Sequence, residues 1–166
     1  MRQDGTDDRI ALDTSFSNET RVLALDLAVR EGAGGLVGTL AGLPGAPSLV
    51  LDAAGTGPLD DYTAEIDLAT DGATRMAGTV RLRGAEAGGL RFAADLGGDV
   101  AALVAPDYRG FFGSDVALRA GGLRGEDGAL TIEDLDLRTR SLDLSGRLAL
   151  DADGVPRGFA LTGRLG

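Results

Sequence analysis

The chain has 166 residues and a formal net charge of −10 at pH 7, and 43% of its residues are hydrophobic although only 4% are aromatic. The acidic balance argues against binding to nucleic acid and against docking on an anionic membrane, because both need clustered cations. The chain contains no cysteine and no histidine, which excludes disulfides, thiolate or imidazole metal sites and catalytic triads with an imidazole base.

Alternating apolar and polar residues predict strands through the first half of the chain, since this is the period of a strand with one greasy and one wet face. Asp71-Gly72 is a hairpin signal between two of these segments. The stretch GTGPLDDY at 55–62 indicates a loop. The predicted strands are 9–16, 21–30, 48–54, 62–70 and 75–83.

Residues 31–47 break this alternation. Leu36, Leu40 and Leu43 are spaced for one apolar face of a short helix that ends at Pro44 and Gly45. We interpret this helix as a plug that covers the sheet edge or one end of the core, rather than as a gate for a ligand. A second short helical interruption, again with a proline, falls within 99–113.

The second half repeats the plan of the first. Further strands are predicted at 90–96 and 114–120, as two strands with a bend between them in 129–150, and at 157–165. The order strand, glycine pair, short helix, proline, strand occurs twice, which gives loose internal repeats near 22–84 and 90–150. Roughly ten strands joined by tight turns predict an all-β fold, a curved antiparallel sheet with two short helical interruptions, as a single domain over 1–166.

A phase slip within 129–150 adds detail. Leu130 and Ile132 have even numbers, whereas Leu135 and Leu137 have odd numbers. A β-bulge near Glu133-Asp134 would bring both pairs to one face. Because bulges bend a strand, the slip also predicts curvature.

Residues that could carry chemistry are sparse. The acidic doublets, such as Asp60-Asp61, do not continue into the set of oxygens that a calcium loop needs. Paired carboxylates could hydrolyse glycosides, but sugar clefts rely on aromatic platforms and the chain has no tryptophan. The glycine runs lack the lysine and spacing of phosphate loops. We predict no enzyme, no metal site and no cofactor.

The remaining feature is a long aliphatic face. It is either a closed core in a sandwich or barrel, or the greasy inner face of a curved trough that holds an apolar ligand. Wet aliphatic side chains cost roughly 1.5–3 kcal/mol each, so an open trough needs an occupant. The residues predicted to line it are Leu23, Leu25, Leu27, Val29, Leu49, Leu51, Ile66, Leu68, Val80, Leu82, Leu90, Phe92, Val116, Leu118, Leu130, Ile132, Leu135, Leu137, Leu142, Leu144, Leu148, Leu150, Phe159 and Leu161.

The stretch IEDLDLRTRSLDLSGRLAL resembles the recurring unit of the TamB family, a translocation and assembly module component in the AsmA-like lipid-transport group. The unit is a strand L-x-L-x-[TS], a polar turn and then L-x-L-S-G-x-L. The stretches 40–68 and 81–113 also look like the conserved-domain region of that family, so the likeness covers about 9–165. The residues that match the unit are Leu135, Leu137, Thr139, Leu142, Leu144, Ser145, Gly146 and Leu148.

The resemblance implies a long sheet folded lengthwise into a taco or half-pipe, which bridges the inner and outer membranes through the periplasm. It implies phospholipid acyl chains as ligands, an Omp85-family outer-membrane barrel (TamA) as a partner, and an inner-membrane anchor in the full-length protein. The start MRQDGTDDR is neither signal peptide nor anchor and the pattern stops at LTGRLG, so we expect a segment of a longer exported protein. Two alternatives stay open: a structural or adhesive β-repeat module with a closed core, and a scaffold for strands of outer-membrane proteins.

Overall fold

A computed structural model describes residues 8–17, 19, 22–58, 60–86 and 88–166. It contains ten strands, two short helices and a 3-10 turn. The helices are α1 (Leu36–Leu40) and α2 (Pro106–Phe112), the second preceded by the 3-10 turn at Val100–Leu103. The strands are β1 Arg9–Phe16, β2 Val22–Glu31, β3 Leu49–Pro58, β4 Asp61–Thr70, β5 Ala73–Gly84, β6 Leu90–Gly98, β7 Val116–Arg124, β8 Leu130–Arg138, β9 Leu142–Leu150 and β10 Pro156–Leu165.

The strands form one sheet in which spatial order follows chain order from β1 to β10. Every pair is antiparallel, and β1 and β10 are its two edges, so the sheet does not close on itself. The prediction of an all-β fold, a curved antiparallel sheet with two short helical interruptions, is confirmed.

The pairing register gives the sheet two chemically distinct faces, because residues directly opposite each other across an antiparallel pair share a face. Leu27 lies opposite Leu12 on one side and opposite Ala53 on the other, and the same alternation continues through Leu82 and Phe92 in β5 and β6. We call this side the apolar face. The opposite side, the polar face, carries Asp, Arg, Ser and Thr.

The bulge predicted in β8 is confirmed. Ile132 pairs with Leu148 and Leu135 pairs with Gly146, so Glu133 and Asp134 together oppose a single residue of β9. The same irregularity appears toward β7. Leu130, Ile132, Leu135 and Leu137 therefore all lie on the apolar face despite the change from even to odd numbers.

The two long connections lie at the same end of the sheet. β2 and β6 are both even-numbered strands of an antiparallel meander, so they run in the same direction and end on the same side. The connection with α1 follows β2, and the connection with the 3-10 turn and α2 follows β6. We call this the helical end, and the opposite end, closed by short connections, the turn end.

The predicted loop at 55–62 is largely wrong, because β3 continues to Pro58 and β4 begins at Asp61. The glycines that suggested a loop are instead required by the neighbouring strand. A Cβ on Gly55 would lie 2.5 Å from the Tyr62 hydroxyl oxygen, and one on Gly57 would lie 2.7 Å from the Asp61 carbonyl oxygen. Glycine here makes room for β4 and its tyrosine rather than ending the strand.

The helix predicted from Leu36, Leu40 and Leu43 forms as α1, but two of these leucines do not pack on the sheet. Leu36 is 66% exposed and Leu40 is 78% exposed, whereas Gly38 is buried. The buried Glu31 explains this orientation, since its carboxylate accepts hydrogen bonds from the amides of Val37 (2.9 Å) and Gly38 (3.1 Å). These bonds turn the first turn of α1, and not its leucine face, toward β2.

Candidate functional site

All 24 residues predicted to line a lipid groove lie on the apolar face, as the register of the ten strands requires. Only three of them, Val29, Leu49 and Val116, are buried, and two, Phe159 and Leu161, are exposed. The other 19 have intermediate exposure. A second layer packed on this face would bury most of these side chains, so they are covered mainly by their neighbours within the sheet.

Burial on the apolar face is concentrated at the helical end. Val29 is 5% exposed, Leu49 is 4% exposed, Thr70 is 1% exposed and Val116 is 8% exposed. These residues occupy the strand ends next to the two long connections. The connections therefore close the apolar face at one end and leave the rest of it open.

The apolar face extends beyond the predicted set. The additional residues keep the alternation of their strands, so the sequence pattern alone could have identified them. Leu96, for example, continues the series of Leu90, Phe92 and Ala94 in β6. The added residues are Ile10, Leu12, Tyr62, Met76, Leu96 and Leu165.

Tyr62 is the polar exception on this face. Its side chain lies over Gly55 near the turn end, and the residue is only 6% exposed. Its hydroxyl is buried without a hydrogen-bond partner. Burial raises the pKa of the Tyr62 phenol, because the phenolate would lose its hydration. The ring therefore serves the apolar face as bulk, while its hydroxyl adds an unmet polar requirement.

A small polar cluster lies at the helical end. The Arg75 guanidinium donates a hydrogen bond to the Thr70 hydroxyl at 2.9 Å and lies 3.8 Å from the Asp99 carboxylate. Asp99 also accepts a hydrogen bond from the Ala101 amide at the start of the 3-10 turn. Because Arg75 belongs to β5 and Asp99 precedes the 3-10 turn, this cluster holds the second long connection against the sheet.

The polar face carries exposed ion pairs that cross between strands. Arg83 lies 3.0 Å from Asp61 and Arg119 lies 3.1 Å from Asp95, and both pairs join residues directly opposite each other. Exposed pairs of this kind contribute about 0.2–1 kcal/mol each at most. They define the register more than they stabilise the sheet.

A depression of about 820 Å³ lies on the polar face at the β8 bulge, opposite to the predicted groove. Its walls combine cations and anions, among them Arg81, Arg119, Glu133, Asp136 and Arg147. In the part of the chain that the structure describes, no three acidic residues come together as metal ligands would. The mixed charge and open shape select no ligand class.

No helix among the described residues has the length and apolar character needed to cross a bilayer. Comparisons with protein-family models, with curated proteins and with solved structures gave no match to this chain. The functional argument therefore rests on the geometry of the sheet and on the residues of its apolar face.

Proposed function

We propose that this chain is a section of a periplasmic bridge whose apolar face carries phospholipid acyl chains between the inner and outer membranes. The observation that carries the proposal is a continuous aliphatic surface across ten strands that no second layer covers. The likeness of residues 129–150 to the TamB unit supports the same function.

The dimensions of the apolar face suit a phospholipid. Ten strands are separated by nine spacings of about 4.8 Å, which makes the sheet about 43 Å wide, and strands of nine or ten residues are about 30 Å long. One leaflet of a bilayer has a hydrocarbon thickness of about 15 Å, half of the roughly 30 Å core. Both tails of one phospholipid therefore fit within the face.

The proposed movement is passive. A tail that leaves a bilayer for this face exchanges one hydrocarbon environment for another, so its transfer free energy is small compared with the roughly 0.8 kcal/mol per methylene lost in water. An even aliphatic surface also has no deep pocket in which the tail would be trapped. We propose that acyl chains slide along the face while head groups remain at its open side.

The resemblance to the TamB family supplies the remaining parts of the proposal. The full-length protein would be anchored in the inner membrane, would cross the periplasm and would meet an Omp85-family barrel, TamA, during assembly of outer-membrane proteins. The open sheet favours this reading over a structural or adhesive module, because such a module depends on a closed core.

Photocrosslinking can test the lipid-binding face with two neighbouring positions of β9. Leu144 lies on the apolar face opposite Leu137, and Asp143 lies on the polar face opposite Arg138. With a photoreactive residue at one position or the other, the purified protein is irradiated with phospholipid vesicles and examined by mass spectrometry. We expect lipid adducts at position 144 and none at 143. Adducts at both positions, or at neither, would contradict the proposal.

A further inference from the structure

The edge strand β10 is exposed along its whole length. All ten of its residues are exposed, and Phe159 and Leu165 are 72% and 75% exposed. β9 pairs with only one side of the strand, so the backbone groups of the other side have no strand beside them. The irregular pairing at Pro156–Gly158 guards only its first residues, and the edge from Gly158 to Leu165 is left free.

The opposite edge has the same character. In β1, Ile10 is 63% exposed and Leu12 is 62% exposed, and both lie on the apolar face opposite Val29 and Leu27. Each edge of the sheet thus presents an unpaired backbone and a row of exposed aliphatic side chains. Such edges pair with further strands unless a charge, a proline or a covering segment prevents it.

The topology makes the two edges complementary. With ten strands in an antiparallel meander, β1 and β10 run in opposite directions. A second copy shifted sideways without rotation therefore brings its β1 antiparallel to β10, with both apolar faces on the same side. The aliphatic surface would then continue across the junction.

Charge favours this arrangement over pairing of like edges. β10 carries Arg157 and Arg164 and no acidic residue. The other edge carries Asp13 directly opposite Asp26 of β2, with Arg9 at the start of β1. Two β10 strands would bring four arginines to one seam, and two β1 strands would gather four aspartates, whereas β10 beside β1 joins opposite charges.

We propose that β10 of one copy pairs with β1 of a second copy of this chain, in the register that sets Arg164 opposite Asp13. The same register sets Leu165 opposite Leu12. It repeats the way the sheet joins its own strands, where Arg83 and Asp61 lie directly opposite each other with a nitrogen–oxygen distance of 3.0 Å. Since each copy keeps one free edge of each kind, the contact does not close and copies add in a row.

Disulfide crosslinking provides the test, because the chain has no cysteine of its own. Directly opposite residues in antiparallel strands have Cα atoms about 4.5–5.5 Å apart, within the range for a disulfide. Full chains with Leu12→Cys and with Leu165→Cys, distinguished by a mass tag, are mixed without lipid under mild oxidation. We expect the mixed dimer and little crosslink in either protein alone. Leu12→Cys mixed with Phe159→Cys is the control, since position 159 lies six residues, about 20 Å, from the predicted partner.

A charge exchange tests the register separately. We expect Arg164→Asp to weaken self-association in sedimentation velocity about tenfold or more, and the addition of Asp13→Arg in the same chain to restore it. Arg147→Asp, on the polar face of β9 and away from the edge, should leave association unchanged.

Three outcomes would overturn the proposal. The first is a dominant crosslink between two copies of the Leu165→Cys chain, and the second is a monomer at high concentration without a mixed crosslink. The third is binding of an unrelated strand peptide by a chain that does not bind its own copy. Because no lipid is present, these outcomes do not depend on the proposed lipid transfer.

Discussion

Gly146 in β9 is the position where we expect a single methyl group to damage the sheet most clearly. Its φ of 150° is a conformation that side-chain-bearing residues rarely adopt. A Cβ built on it would overlap the Ala160 carbonyl oxygen of β10. Gly146→Ala must therefore change the backbone of β9, displace β10, or both.

The expected cost follows from these two effects. Holding alanine in a disfavoured backbone region costs about 1–3 kcal/mol. Displacement of β10 weakens one or two ladder hydrogen bonds, each with a net contribution of about 0.5–1.5 kcal/mol. We expect Gly146→Ala to lower the free energy of unfolding of the β9–β10 unit by about 2–5 kcal/mol.

Gly158 in β10 supplies a matched control, since a Cβ there would meet nothing within 4 Å and its φ is not positive. Gly158→Ala should be neutral or stabilising by up to about 1 kcal/mol, because alanine restricts the unfolded chain. Urea unfolding followed by circular dichroism, with hydrogen exchange of the β9 and β10 amides, measures both variants. Equal stabilities within about 0.5 kcal/mol would refute the steric argument.

Three further predictions concern other parts of the sheet. Glu31→Gln should lower stability by about 1–3 kcal/mol and speed exchange of the α1 amides, because the carboxylate accepts two of their hydrogen bonds; the exposed Glu65→Gln is the control, and equal effects would contradict this role. Burial raises the pKa of Tyr62, so the folded chain keeps a proton that the unfolded chain releases, and stability should fall as pH rises above about 10. Tyr62→Phe should remove that fall in pH-dependent thermal unfolding, at little cost near neutral pH because the hydroxyl has no partner; an unchanged profile would argue against the burial effect. Deletion of Glu133 should convert the β8 bulge to regular pairing and keep the fold, whereas deletion of Asp143 should move one part of β9 to the wrong face and expose it to proteolysis.

The strands and their faces could be predicted from the sequence because alternation at period two is a local property. The bulge at Glu133-Asp134 could also be predicted, since a change from even to odd numbering within one strand has few other solutions. Both features need only the residues of a single strand. Most of the apolar face was therefore accessible before the structure.

Features that depend on partner strands were missed. The glycines at 55 and 57 indicate a loop when read alone, but the Tyr62 ring and the Asp61 carbonyl occupy the space beside them. The exposure of Leu36 and Leu40 depends on the Glu31 carboxylate, which precedes α1 by several residues and matches no local capping pattern. Neither relation is visible until the register places these residues together.

The meander order has a consequence for how this molecule comes apart. Extensive contacts between described strands join only neighbours in the sheet, so stability is close to a sum of terms for adjacent strand pairs, as in repeat proteins. Unfolding can then begin at either edge and proceed strand by strand, without one event that melts the whole. Amide protection should rise from β1 and β10 toward the middle strands. A hairpin could be removed or added at an edge without repacking the others, which makes the number of strands a property that evolution can adjust.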